Sequence, residues 1–94
     1  MIDFYLIDSS CPKPKNPDKE LVFIKGLPYP IADKLQSKGI IPERFDLYLE
    51  LRWSLDFVKD IFAKLDSKNS DDKAFKDILK IAINENKGIM AYGD

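Results

Sequence analysis

The chain has 94 residues, of which 45% are hydrophobic and 33% charged, and its formal net charge is −1 with a pI near 5.4. This balance is typical of a folded protein and excludes a disordered chain, and the length predicts a single globular domain over residues 1–94. The chain lacks the basic field on which most nucleic-acid binding depends, so we expect no nucleic-acid partner.

The first part of the chain predicts two strands and a helix. Residues 2–7 (IDFYLI) and 21–26 (LVFIKG) are short runs of strand-forming residues, and a proline-rich loop lies between them. Residues 28–39 (PYPIADKLQSKG) predict a short helix, because Pro30 suits the first helical position and Gly39 the position just past the end.

The segment FDLYLELRWS, residues 45–54, admits two interpretations. As a strand it alternates, with Leu47, Leu49, Leu51 and Trp53 on one face and Asp46, Tyr48, Glu50 and Arg52 on the other. As a helix it offers the series Tyr48, Leu51, Leu55, Val58, Phe62 and Leu65, but its other apolar residues would then surround the cylinder, and such a helix must be buried on all sides. We therefore predict a strand over residues 46–53 with Trp53 in the core.

The last part of the chain predicts two helices and a strand. Ser54 and Ser70 are suited to cap helices that follow them, and residues 87–88 (KG) suit the end of the second one. Residues 89–92 (IMAY) then predict a final strand. The order β-β-α-β-α-α-β indicates an α+β fold, in which a small, mostly antiparallel sheet of about four strands carries three helices on one face.

Residues suited to catalysis are scarce. Histidine is absent, which removes the commonest general base and metal ligand, and the single Cys11 lies in the proline-rich loop. The four glycines stand apart from one another, so no phosphate-binding loop is predicted. On a strand, Asp46 and Glu50 would lie about 13 Å apart, too far to share one metal ion. We expect a protein that is not an enzyme and uses no cofactor or metal.

Five residues on the outward face of the predicted strand and just before it form the candidate partner-binding surface: Glu43, Asp46, Tyr48, Glu50 and Arg52. Tyrosine and arginine are enriched among interface hot spots, and carboxylates steer a basic partner. This pattern favours a non-enzymatic protein-binding domain, such as a stoichiometric inhibitor of the bacterial immunity or antitoxin type. The alternatives are a structural or self-associating module that pairs through an edge strand, and, more weakly, a hydrolase with a carboxylate-bound metal.

The location of the protein is predicted from what the chain lacks. The opening MIDFYLIDSS has no basic start and only a short apolar run, so it does not resemble a signal peptide. No apolar run is long enough to span a bilayer, and one cysteine cannot form an internal disulfide. We expect a cytoplasmic protein without membrane contact.

Overall fold

The computed structural model describes residues 1–8 and 21–93. The predicted proline-rich loop and Cys11 lie outside the described residues. The elements are β1 (Ile2–Ile7), β2 (Val22–Leu27), α1 (Tyr29–Ser37), β3 (Leu51–Trp53), α2 (Leu55–Lys64), α3 (Ser70–Asn84) and β4 (Gly88–Gly93). The predicted order β-β-α-β-α-α-β is confirmed.

The four strands form one antiparallel sheet in the order β2-β1-β4-β3. Successive side chains of a strand point to opposite faces, and β1 uses both faces. Phe4 and Leu6 join the main core with the apolar sides of the helices, whereas Tyr5 and Ile7 join a smaller cluster with Met90 on the opposite face. The predicted α+β arrangement, with three helices on one face of the sheet, is confirmed.

The predicted strand over residues 46–53 is wrong in its length. Only Leu51–Trp53 form a strand, and residues 43–50 form turns. The Asp46 side chain accepts a hydrogen bond from the Tyr48 backbone N–H at 2.9 Å, and such a local bond competes with strand pairing. The helical alternative is also wrong, because α2 begins only at Leu55.

The predicted burial of the four apolar side chains in this segment is correct at three positions. Leu47, Leu51 and Trp53 are buried, with Trp53 only 2% exposed. Leu49, which the alternation placed in the core, is 62% exposed, because alternation holds along a strand and residues 47–50 are not one.

Helix termini follow local chemistry. Gly39 follows α1 with a φ of +79°, as predicted, and the Ser54 hydroxyl caps α2 by accepting from the Phe57 N–H at 3.2 Å. The predicted Ser70 cap of α3 is wrong. Asn69 caps that helix instead, since its side-chain oxygen accepts from the N–H groups of two residues in the first turn.

The end of α3 also departs from the prediction. The helix ends at Asn84, and Asn86 takes the left-handed conformation with a φ of 57°. Gly88, predicted to end the helix, is the first residue of β4. Asparagine tolerates the left-handed region better than most residues, so it can replace glycine at this turn.

Candidate functional site

The predicted partner-binding residues fall in two places. Glu43, Asp46, Tyr48 and Glu50 lie in the loop of residues 43–50 between α1 and β3, and Arg52 lies in β3; all five are exposed. The Nη2 atom of Arg52 lies 3.4 Å from the Asp8 carbonyl oxygen, beyond the neighbouring strand β4. The loop residues therefore form the more coherent part of the predicted surface, and a role for Arg52 stays a prediction.

Hydrogen bonds from Gln36 in α1 and hydrogen bonds within its own turns hold the 43–50 loop. Gln36 in α1 donates through Nε2 to the carbonyl oxygens of Pro42 at 3.1 Å and Phe45 at 2.8 Å. Two successive turns follow, closed by Phe45 N–H to Pro42 at 3.2 Å and by Leu49 N–H to Asp46 at 3.2 Å. A loop with this many satisfied backbone groups has a defined shape.

Two apolar side chains anchor the loop to the core. Leu47 is buried, and the half-buried ring of Phe45 packs edge-on against Trp53 at 5.9 Å and Phe57 at 5.7 Å between ring centroids. Because Phe45 and Leu47 face inward, the residues between and after them face solvent. The loop thus presents its outer side chains from a fixed base.

Tyr48 and Leu49 are adjacent and exposed, at 60% and 62%. Scattered exposed apolar residues are normal, but two neighbours at the tip of a fixed turn form a small continuous patch. The Tyr48 ring stacks on Tyr29 at the start of α1, with centroids 4.6 Å apart and planes inclined by 22°. The patch is therefore continuous with the first turn of α1.

Gly93, at the end of β4, lies beneath this loop. A Cβ atom at Gly93 would meet the Leu47 carbonyl oxygen and would lie 2.7 Å from the Tyr48 Cα atom and 2.8 Å from the Tyr29 hydroxyl oxygen. Such approaches are closer than real Cβ atoms make, so glycine is required for the loop to close onto the sheet. The position of Tyr48 thus depends on α1 and β4 as well as on its own loop.

Carboxylates neighbour the apolar patch along the chain. We define the Tyr48 surface as Tyr29, Glu43, Asp46, Tyr48, Leu49 and Glu50. Three of these six carry negative charge, and Asp33 stands one helical turn after Tyr29 on the same side of α1. The cation of the loop, Arg44, lies with its guanidinium carbon 4.9 Å from the Phe45 ring centroid and 6.0 Å from that of Phe57. The surface therefore combines exposed apolar side chains with three carboxylates.

Two members of this surface, Leu49 and Tyr29, are not predicted from the sequence. Leu49 was assigned to the core because the segment was read as a strand. Nothing in the sequence around Tyr29 indicates that it stacks on a residue of a later loop. The first error concerns the length of the strand, and the second concerns a contact between segments that are distant in the chain.

A second feature is an open recess of about 280 Å³ at the end of β3, lined by Ile7, Arg52, Trp53, Ser54 and Gly88. Its polar side chains are the Arg52 guanidinium and the Ser54 hydroxyl, and that hydroxyl already caps α2. No acid–base pair lines the described part of this recess, so it offers less to a ligand than the Tyr48 surface does.

A buried carboxylate joins three segments on another side of the molecule. Asp72, 2% exposed in the first turn of α3, forms an ion pair with Lys38 after α1 and accepts a hydrogen bond from the Asp66 backbone N–H at 2.9 Å. Burial raises the pKa of Asp72, but the hydrogen bonds from Lys38 and Asp66 and the charge of Lys38 outweigh it and lower the pKa below its ordinary value of 3.8. These contacts connect α3 to the residue after α1 and to the segment before α3, so we assign Asp72 a role in the stability of the fold.

Residues 1–8 and 21–93, the part of the chain that the structure describes, hold neither a metal site nor a membrane-spanning helix. No three acidic or cysteine side chains there are grouped so that they could hold a metal ion. None of the helices in that part is both long and apolar enough to cross a bilayer.

Comparison with known proteins adds no functional assignment. The chain matches no protein-family model, no curated protein and no solved structure. The residues and contacts described above are therefore the basis on which a function can be proposed.

Proposed function

We propose that this protein is a non-enzymatic protein-binding domain that contacts its partner through the Tyr48 surface. The observation that carries the proposal is the exposure of Tyr48 and Leu49 on a loop whose position is fixed by Gln36, Tyr29 and Gly93. An aromatic residue held in place before binding loses little conformational entropy on contact, and such residues are enriched among hot spots.

A stoichiometric inhibitor is the concrete form that we favour. In a bacterial immunity or antitoxin-type protein, a small domain blocks a functional surface of another protein by covering it, and needs no catalytic group. The Tyr48 surface supports this form because it combines exposed apolar side chains with carboxylates, as interfaces combine apolar and polar residues. A cytoplasmic location is part of the same proposal.

Self-association is the second candidate function, and the exposed apolar side chains of strand β2 favour it. This edge strand of the described sheet exposes Val22 and Phe23. However, β2 also carries the exposed Lys25, and its register with β1 shifts between Phe4 and Tyr5. Lysine and irregular pairing on an edge hinder the addition of another strand, so we favour the inhibitor.

Photo-crosslinking in the cells that naturally make this protein tests the proposed function. A benzophenone amino acid replaces Tyr48 in one variant and Ile81 in the other, because Ile81 is an apolar residue that is 44% exposed and belongs to α3, which contributes no residue to the Tyr48 surface. We expect one discrete adduct with a different protein from position 48 and none from position 81. Equal labelling from both positions, or an adduct only with a second copy of the chain, would contradict the proposal.

The recovered partner then separates inhibition from simple attachment. An inhibitor should abolish the partner's activity when the two proteins are mixed at one-to-one stoichiometry, and further addition should have no effect. A partner that stays fully active at saturation would exclude inhibition and leave a binding module. Light scattering of the free protein gives the mass that distinguishes a monomer from a self-associated form.

A further inference from the structure

We infer that the ion pair between Lys38 and Asp72 controls the position of the 43–50 loop, and with it the Tyr48 surface, through helix α1. Lys38 directly follows α1, and Asp72 lies in the first turn of α3, so neither residue belongs to the Tyr48 surface. The consequence for partner binding rests on the proposed function, whereas the effect on the loop is a property of the free protein.

One side of α1 contacts the loop. Tyr29 and Gln36 are seven residues apart, so they lie on the same side of a helix with about 3.6 residues per turn. The Tyr29 ring stacks on Tyr48, and Gln36 Nε2 donates to the carbonyl oxygens of Pro42 at 3.1 Å and Phe45 at 2.8 Å. Both contacts depend on how α1 is rotated about its own axis.

The other side of α1 is bound to α3. Lys34 and Lys38 are four residues apart, and each is two residues from Gln36, which places them roughly on the opposite side of the helix from it. Lys34 Nζ lies 3.5 Å from Asp71 Oδ2, and Lys38 forms its ion pair with Asp72. Helix α1 therefore joins the first turn of α3 to the loop.

The two ion pairs differ in burial. The Lys34 side chain is 68% exposed and that of Asp71 is 29% exposed, and such surface pairs contribute little. The Asp72 side chain is only 3% exposed, and its other oxygen accepts from the Asp66 N–H at 2.9 Å. A buried carboxylate that loses its cation is strongly unfavourable, so Asp72 holds Lys38, and with it the end of α1, in place.

The rotation of α1 depends more on its polar contacts than on its apolar ones. Ala32 and Leu35 are fully buried and attach the helix to the core, but the hydrophobic effect that buries them has no preferred direction. Hydrogen bonds have a preferred geometry and weaken when it is lost. Breaking the pair of Lys38 and Asp72 should therefore weaken the bonds from Gln36 to the loop.

The side-chain amide signals of Gln36 in NMR spectra of the whole ¹⁵N-labelled protein measure this link, because Nε2 donates both bonds to the loop. Lys38→Met removes the charge and keeps an unbranched apolar side chain, whereas Lys38→Arg keeps the charge. Lys34→Met is the matched control, since Lys34 is also two residues from Gln36 and its ion pair is exposed. Ile61→Val, in the core on α2, controls for a general loss of stability.

We expect Lys38→Met to shift the Gln36 side-chain signals and the backbone amide signals of residues 43–50. Hydrogen exchange at the Phe45 and Leu49 N–H groups, which close the two turns of the loop, should become about fivefold faster or more, as is usual between coupled sites. Lys38→Arg, Lys34→Met and Ile61→Val should resemble the wild type in both respects, because these amides exchange by local opening of the loop.

A double variant keeps the measurement possible if Lys38→Met alone does not fold. Lys38→Met combined with Asp72→Asn leaves no buried charge without a partner, and it should change the loop signals in the same way. Unchanged Gln36 and loop signals in the double variant and in any folded Lys38→Met protein would overturn the inference. Equal changes in Lys34→Met or Ile61→Val would also overturn it.

The inference and the proposed function can fail separately. None of these spectra needs a partner, so unchanged spectra would overturn the inference while crosslinking from position 48 still supported the proposed function. We expect the crosslinked partner to bind Lys38→Met at least about fivefold more weakly than Lys38→Arg. If the loop signals shift in Lys38→Met but the partner binds it with wild-type affinity, the proposed function is contradicted and the effect on the loop stands.

Discussion

Tyr29 at the start of α1 stacks on Tyr48 in the 43–50 loop, with ring centroids 4.6 Å apart and planes inclined by 22°. Tyr48 is exposed, so on its own it would sample several rotamers in solution. The stack restricts that freedom before any partner arrives, and it joins the loop to a helix that precedes it in the chain. This contact is what makes Tyr48 a positioned side chain.

Replacement of Tyr29 tests the stack. We expect Tyr29→Ala to lower the free energy of unfolding by more than about 1 kcal/mol, because it removes the aromatic pair and also the apolar area that the half-buried Tyr29 ring covers. It should also weaken binding of the crosslinked partner by about tenfold, because Tyr48 would have to be ordered on binding. Urea denaturation and calorimetric titration measure the two effects. Tyr29→Phe keeps the ring and should retain partner affinity; equal loss in both variants would refute the positioning role.

Gly93 provides a second test of how the loop is positioned. The Cβ atom of Gly93→Ala would press on the backbone of Leu47 and Tyr48, so we expect a loss of about 1–3 kcal/mol in unfolding free energy and displaced amide signals for the loop. Gly26→Ala is the matched control in another strand, because the nearest atoms there belong to the flexible Met1 side chain. If Gly93→Ala changes the unfolding free energy and the NMR spectrum as little as Gly26→Ala does, the loop does not pack against Gly93 as closely as the structure shows.

The sequence predicted the elements well because their signals are local. The Ser54 cap and the turn at Gly39 each depend on chemistry within a few residues, and both are confirmed. The burial of Trp53 followed from alternation over the short stretch that is a strand. Local patterns of this kind are sufficient to place strands and helices in order.

The candidate site could be predicted only in part, because its geometry depends on distant residues. Asp46 and Tyr48 were chosen for their residue types, and the structure places them on the exposed loop. The packing of Tyr29 and Gly93 against that loop depends on tertiary contacts without a sequence signal. Leu49 was placed in the core because the alternation of residues 46–53 continued past the part that pairs in the sheet.

Asp72 should make the protein sensitive to acid. In the unfolded chain this carboxylate takes up a proton near its ordinary pKa of 3.8, and in the folded protein only at lower pH. Its ionised form therefore stabilises the fold fully above the unfolded pKa, and this contribution is lost as the pH falls through the folded pKa. Unfolding free energies measured by urea denaturation between about pH 5 and about pH 2 should fall steadily.

The variant Asp72→Asn separates this group from the other carboxylates. It should cost about 1–3 kcal/mol at neutral pH, since Lys38 loses its charged partner, and should show a shallower decline in acid than the wild type. Asp60→Asn, at an exposed position of α2, is the control and should change the unfolding free energy at neutral pH by less than about 0.5 kcal/mol. Parallel acid profiles for Asp72→Asn and the wild type would mean that another group is responsible.

Trp53 should be the most sensitive core position. Its ring packs against Phe4, Phe45, Phe57 and Phe75, and its indole Nε1 is buried without a hydrogen-bond partner in the described structure. Trp53→Ala should lower the unfolding free energy by about 3–5 kcal/mol, whereas Trp53→Phe should cost less because it refills most of the site. As the sole tryptophan, it should also emit as a buried indole. A change within about 0.5 kcal/mol for Trp53→Ala in urea denaturation would show that Trp53 lies outside the core.

In the proposed function, partner binding depends on the exposed pair Tyr48 and Leu49. The decisive measurement is the affinity of the crosslinked partner for variants of this pair and for a control variant. One variant combines Tyr48→Ser with Leu49→Ser. The other, Ile81→Ser, is the control because Ile81 is also an exposed apolar residue. By isothermal titration calorimetry we predict that the double variant keeps its fold and loses at least about a hundredfold in affinity, while Ile81→Ser binds as the wild type does. An unchanged affinity for the double variant would contradict the account.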